Sequence, residues 1–251
     1  MAGHSKWANI KHRKAAVDNK RGKLFTKVIR EISVAVKTGG DDPEANPRLR
    51  LAMQNAKKVN MPKDSIQRAI TKAAGGEGED YIEATYEGYA ANGVAVLVEA
   101  QTDNVNRTVA NLRHHFSKGG GSLGTSGSVS FLFDKKGVFT IPIDDLAMAK
   151  EDLELAVIDA GAEDIEPEGD TITVSSAFED FGPLNDQLAE LGIEPQNASV
   201  QYLPRTTVEL GLENAQKVLR LIDNLEDDDD VQNVYHNLAM TDELEAHLAA
   251  S

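Results

Sequence analysis

Between residues 20 and 38, Leu24, Phe25, Val28, Ile29, Ile32 and Val36 recur every three or four positions. That spacing predicts an amphipathic helix, with Lys20, Lys23, Lys27 and Arg30 striping the opposite face and Gly39-Gly40 ending it. Asn46-Pro47 reads as a cap followed by proline in the first helical position, and Leu49, Ala52, Met53 and Ala56 continue at helical spacing. A turn at Asn60-Met61-Pro62 leads to a third helix, capped by Asp64 or Ser65, with Ile66, Ala69, Ile70 and Ala73 inside and Gly75-Gly76 as the stop. The first 20 residues have little apolar periodicity and are expected to form a mobile arm.

After the Gly75–Gly78 linker the period shortens. Residues 84–89 and 93–100 read as strands rich in Val, Tyr and Thr. A helix over 104–117, a glycine loop, and strands over 128–133 and 137–142 follow. Next come a helix over 144–160, a strand over 171–175, a helix over 178–191 and a strand over 199–203. Within this stretch "AGAEDIEP" and "LGIEPQNA" each place a glycine after a helix and before a strand, so one helix-to-strand unit is used twice. A ferredoxin-like split βαβ sandwich accounts for that repetition. A strand over 207–210, a helix over 212–225 and a strand over 231–237 complete the sheet begun near residue 81. The expected fold class is α+β: a basic helical domain (1–78), a split α/β domain (79–133 plus 205–251) and an inserted α/β domain (134–204).

Charge sharpens this division. The chain of 251 residues carries a formal net charge of −15, yet its first thirty residues hold nine Lys or Arg and one acid. Through Gly75 there are 17 basic against 6 acidic residues, an excess of 11; the remainder holds 9 against 35, a deficit of 26. A basic segment on an acidic body attracts a polyanion at one end and repels it elsewhere, which favours oriented nucleic-acid binding. The chain has no cysteine, which removes disulfides and thiolate metal sites and fits a reducing, cytoplasmic setting. The longest apolar stretch, residues 94–98, is far too short for a membrane span.

The remaining motifs carry little chemistry. Gly119-Gly120-Gly121-Ser122-Leu123-Gly124 satisfies the G-x-G-x-x-G pattern, but a helix precedes it where a dinucleotide site needs a strand. As an amide-rich loop beside Lys118, residues Gly119, Gly120 and Gly121 are candidates for a secondary phosphate contact, with a plain connector as the alternative. His114-His115 point about 100 degrees apart on a helix and cannot chelate together. Asp227-Asp228-Asp229-Asp230 lacks the spacing of a calcium loop and reads as a solvated acidic turn. No catalytic constellation, metal site, cofactor site or small-molecule substrate site is legible; a metal-dependent nuclease is the enzymatic alternative.

The basic arm and first helix therefore supply the candidate nucleic-acid contacts: Lys6, Trp7, Lys11, His12, Arg13, Lys14, Lys20, Arg21, Lys23, Lys27 and Arg30. If six or more cations meet phosphates, affinity should fall roughly a thousandfold or more between 50 and 200 mM salt. Trp7 either stacks on an unpaired base or packs back on the first helix. No side chains are arranged as in a helix-turn-helix reader, so sequence-specific readout has no support here.

The segments "MAGHSKWANIKHRKAAVDNKRGKLFTKVIREI", "NPRLRLAMQNAKKVNMPKDSIQRAI" and "YEGYAANGVAVLVEAQTDNVNRTVANLRHHFSKGGGSLGTSGSVSFLF" closely resemble the YebC/PmpR family, as does the tail of the chain. The resemblance spans essentially all residues. It implies a helical N-terminal domain, an α/β domain split in sequence and a second α/β domain inserted into it. It further implies a probable transcriptional regulator that binds DNA, with relatives acting in translation, including a mitochondrial activator of cytochrome c oxidase synthesis. Phosphate attraction alone does not separate DNA from ribosomal RNA on the ribosome.

Overall fold

The computed structural model describes residues 18–77, 79–143, 146 and 148–250, except for the side chains of residues 18–21, 168, 249 and 250. The described chain divides into two compact units, residues 133–205 and the residues on either side of that segment.

In the larger unit, α1 (Asp18–Gly39), α2 (Pro47–Lys58) and α3 (Lys63–Ala74) share one apolar core. Val28, Ile32, Ala35 and Val36 of α1 meet Leu49, Ala52 and Ala56 of α2 and Ile66, Ala69, Ile70 and Ala73 of α3. The alanines at the contacts let the helices approach closely. Asn46 joins two of them: its Oδ1 accepts from the Leu49 amide at 3.0 Å, while its Nδ2 donates to the carbonyls of Ala35 and Gly40 at 2.8 and 2.7 Å. The expected cap of α3 is displaced. Its first turn is capped by the carbonyl of Pro62, which accepts from Ser65 and Ile66, because the proline fixes an extended residue immediately before Lys63.

The sheet of this unit contains β1 (Ile82–Tyr89), β2 (Ala95–Thr102), β3 (Ser122–Leu123) and β8 (Val231–His236), in the antiparallel order β3-β1-β2-β8. Central β2 is buried along nearly all its length, the reason it opens on the apolar run of residues 95–98. Val96 and Val98 of β2 share a core with Leu112 and Phe116 of α4 (Val105–Lys118) and with Val218 and Ile222 of α7 (Leu212–Glu226). A last helix, α8 (Asp242–Ala250), contributes Leu244. Two expected strands differ. Residues 130–132 form a 3₁₀ turn, and 207–210 reduce to one parallel bridge, Val208 to Leu238.

The smaller unit runs β4 (Phe133–Pro142), α5 (Lys150–Asp159), β5 (Ala162–Glu168), β6 (Thr171–Ala177), α6 (Phe181–Glu190) and β7 (Asn197–Pro204). Its strands pair antiparallel in the order β5-β6-β4-β7, the ferredoxin-like split βαβ arrangement that the repeated unit predicts. Gly161 and Gly192 follow the two helices with φ of +99° and +71°, which explains the shared glycine. Phe139 and Phe181 stack at 4.9 Å, and Phe181 together with Ser176 leaves Gly137 no room for a side chain. Helix α5 begins at Lys150, later than expected; residues 144, 145 and 147 lie outside the described set.

Candidate nucleic-acid interface

Of the residues that the sequence marks for phosphate contact, Lys6, Trp7, Lys11, His12, Arg13 and Lys14 lie outside the described residues. Lys20 and Arg21 belong to α1, but their side chains are not among those described. Lys23, Lys27 and Arg30 are described, and all three bond to groups of the protein itself, Lys23 from an exposed position and Lys27 and Arg30 from partly buried ones. They sit on the face of α1 opposite Ile32 and Val36, where the C-terminus of α7 and the acidic turn after it meet the helix. Lys23 Nζ donates to the carbonyl of Asp227 and Lys27 Nζ to that of Glu226, each at 2.8 Å. The last carbonyls of a helix lack intrahelical donors and carry the negative end of its dipole, so two lysines fit there. Arg30 donates to the carbonyls of Gln101 and Asp229 at 3.0 and 2.5 Å and to Asp230 Oδ1 at 3.0 Å. With its side chain 11 % exposed, Arg30 is held by the protein's own acceptors, and a phosphate at this position would have to compete with them.

The same contacts correct the solvated reading of the acidic run. Asp227 and Asp229 keep exposed side chains, but Asp230 is buried. Its carboxylate accepts from Arg30, from Arg107 at 2.8 Å and from Thr108 Oγ1 at 2.9 Å. Burial alone would raise this carboxyl; hydrogen bonds from Arg107, Thr108 and Arg30 outweigh it and hold the group below the usual carboxylate range. Nearby, Arg48 bridges Glu31 at 2.7 Å and Glu83 at 2.6 Å, and Gln101 donates to Glu31 at 2.5 Å. Lys37 reaches Asp80 at 2.6 Å. Among the described side chains, α1 thus sets one face on the apolar core and bonds Lys23, Lys27 and Arg30 of the other to carbonyls and a carboxylate.

In the glycine loop the amides already have partners. The amides of Gly119, Gly120 and Gly121 donate to the carbonyls of His115, Ser117 and Phe116, so none points outward as an anion nest requires. The loop is a tight helix-to-strand connector: a Cβ at Gly119 would press on Leu221, and one at Gly121 would strike the Tyr89 carbonyl. Lys118 is exposed beside it. Of the adjacent histidines, His114 is exposed and His115 approaches Asp228 at 3.6 Å. Among the described residues no group of three or more His, Asp or Glu is placed to hold a metal ion, and no helix is long and apolar enough to cross a membrane.

Sequence reasoning missed two buried ionisable groups. Glu87 is 5 % exposed and accepts the amides of Gly127, Val129 and Ser130 at 2.7, 2.6 and 2.8 Å, which is why residues 128–132 coil instead of extending as a strand. Burial would raise its carboxyl, yet those amides bring it below the ordinary range. His236 is fully buried at the end of β8, and burial pushes its imidazole down to about 4. A folded value below the unfolded one, about 6.5, means stability is intact above that range and is lost as pH falls toward 4. Between pH 7.5 and 5 this group should withdraw roughly 2 kcal/mol. Urea unfolding at the two pH values checks this. A His236→Asn variant, which keeps an acceptor for the Leu238 amide, should show a correspondingly smaller loss.

Further outward-facing basic side chains lie on α2 and α3. Lys57, Lys63 and Lys72 are exposed and form no ion pair among the described residues. The signal was present in the composition: residues 47–74 hold seven basic side chains and one acid.

Residues 5–76 match the family described as TACO1/YebC protein N-terminal domain, and residues 81–238 match that described as TACO1/YebC second and third domain. The chain belongs to the TACO1/YebC family. A relative from Amoebophilus asiaticus is 56 % identical over 241 residues, covering 95 % of this chain and 98 % of that protein. One from Acinetobacter baumannii is 53 % identical over 252 residues, covering 100 % of both. Each is called a probable transcriptional regulatory protein. The crystal structure of the conserved hypothetical protein Aq1575 from Aquifex aeolicus is similar in fold, with a TM-score of 0.83 and 46 % identity over 92 % of this chain and 95 % of that one. The TACO1/YebC assignment thus covers helices α1–α3, the divided sheet and the ferredoxin-like unit alike.

Proposed function

We propose that this chain is a non-catalytic regulator of gene expression that binds nucleic acid through its basic N-terminal segment, acting in the cytoplasm on DNA as a transcriptional regulator. The observation that carries this reading is the excess of 11 positive charges through Gly75 on a chain whose remainder has a deficit of 26. The names of the relatives agree with a regulatory role. Because Lys23, Lys27 and Arg30 serve α7 and the acidic turn, the reading assigns the first-segment contacts to Lys6, Lys11, Arg13 and Lys14, with Lys20 and Arg21 continuing them. The three domains expected from the sequence then divide the labour, residues 1–78 binding and the acidic remainder limiting how far a polyanion can wrap.

A second reading, a translation factor associated with ribosomal RNA, is favoured by that same acidic remainder, which suits lodging at one point of a large RNA assembly. Reversing charge at Lys6, Lys11, Arg13 and Lys14 should weaken binding to a DNA duplex at least tenfold and flatten its salt dependence. Binding unchanged by the reversal would refute the arm's part. Crosslinking in growing cells separates the two readings: ribosomal RNA recovered without promoter DNA would establish the second.

A further inference from the structure

We infer that the outward faces of α2 and α3 form a second phosphate-contact surface, and that its ligand is base-paired nucleic acid. This inference rests on the proposed function and deepens it. In α2, half-buried Arg50 and exposed Lys57 stand seven residues apart, on a flank of the helix beside the face that buries Leu49, Ala52 and Ala56. In α3, Arg68 and Lys72 stand four apart, away from Ile66, Ala69 and Ile70, with Lys63 at the helix start. Each pair follows one helical row.

Three observations select this surface. First, the basic side chains around it differ in whether an acid pairs with them, and Arg68 donates only within its own helix, to the Asp64 carbonyl and Ser65 Oγ. Arg48, on the flank of α2, is taken by Glu31 and Glu83, and α1 spends Lys23, Lys27 and Arg30 on α7 and the acidic turn. Arg50, Lys57, Lys63 and Lys72 form no ion pair among the described residues, and the only acid in 47–74 is Asp64. Second, the positions are preset. Both helices are fixed by buried alanine and isoleucine contacts, so their cations are held in register before a ligand arrives. Arg50 and Lys57 are separated by about 10 Å along α2, roughly three steps of a duplex strand at 3.4 Å each. Third, the sequence from 26 to 80 contains no Phe, Tyr or Trp, and Phe25 packs against the helical core. Single-strand binders stack bases on aromatic rings, whereas duplex backbones are gripped by cations alone. A cationic face without an aromatic platform therefore selects the paired form.

The test uses the full chain and fluorescence anisotropy with three labelled probes of one sequence: a 20-base-pair DNA duplex, the matching RNA duplex and the single strand. The Lys57→Glu/Lys63→Glu/Lys72→Glu variant should bind the preferred duplex at least tenfold more weakly, with a salt slope shallower by about three. Its thermal midpoint should match the parent's, since all three side chains are exposed. If charge reversal prevents folding, the triple Lys→Gln variant gives the same reading with about the same loss of slope. Whichever duplex binds more tightly identifies DNA or RNA as the source of the phosphates. Duplex binding by the parent that the triple variant retains in full would overturn the surface while leaving the proposed function standing. Preference for the single strand would overturn the paired ligand. Failure of the parent to bind any probe would remove the proposed function and this inference with it.

Discussion

Replacing Asp230 with alanine should reduce folding stability by about 3–5 kcal/mol, the penalty for stripping one partner from a buried ion pair. The cost falls mainly on Arg30, whose side chain is 11 % exposed and whose other acceptors are backbone carbonyls. Arg107 is 43 % exposed and can recover water, so its share is small. Thr108 loses an acceptor but retains the Asn104 carbonyl. Urea denaturation measures the loss, and a value under 1 kcal/mol would show that the pair is not the anchor of α1. A double variant, Arg30→Met with Asp230→Leu, should recover much of it, because an apolar pair leaves no uncompensated charge. The pH dependence has a definite sign. The folded pKa of Asp230 lies below its unfolded value, so its contribution is complete above about pH 4 and vanishes as pH falls through the folded value.

The Glu87→Ala substitution is expected to cost about 3–4 kcal/mol, since it orphans several partly buried amides that a charged acceptor had satisfied. The damage should be local before it is global. Gly127, Val129 and Ser130 would lose their common acceptor, while the Gly124 amide would keep the backbone carbonyl of residue 87. Amide hydrogen exchange should therefore accelerate at 127, 129 and 130 well beyond any change in α2 or α3. Exchange rates that rise uniformly across the chain would contradict the local role assigned to this carboxylate. Glu87→Gln should fall between, its one carbonyl oxygen still able to accept two of the three amides while its amide donor is turned toward the third.

Both predictions concern residues that the sequence disguises. Glu87 lies in a strand that reads as half exposed, and nothing nearby in sequence reveals that residues forty positions later will enclose it. Asp230 belongs to four consecutive aspartates, a pattern that in most proteins is solvated; only the arrival of α1 and α4 makes its burial affordable. Helix caps and cores behave differently. Asn46-Pro47, the Leu49–Ala52–Ala56 spacing and the glycines at 161 and 192 fulfil expectation because the physics responsible acts within a turn or two of chain. The strand expected at 128–133 fails for the opposite reason: a distant carboxylate competes for its amides and wins.

By itself, the sequence determined the helical bundle, the twice-used helix-to-strand unit and its ferredoxin-like pairing, the family, and the separation of positive from negative charge. These follow from periodicity, turn chemistry and composition, which are local or additive. Tertiary structure alone decided which cations are engaged by the protein's own acceptors. Lys23, Lys27 and Arg30 look equivalent to Lys57, Lys63 and Lys72 along the chain, yet the first three are drawn to the carbonyls and carboxylate at the end of α7 while the others meet no anion among the described residues. The cause is that charges pair according to distance in space, and that distance is set by how the apolar faces pack.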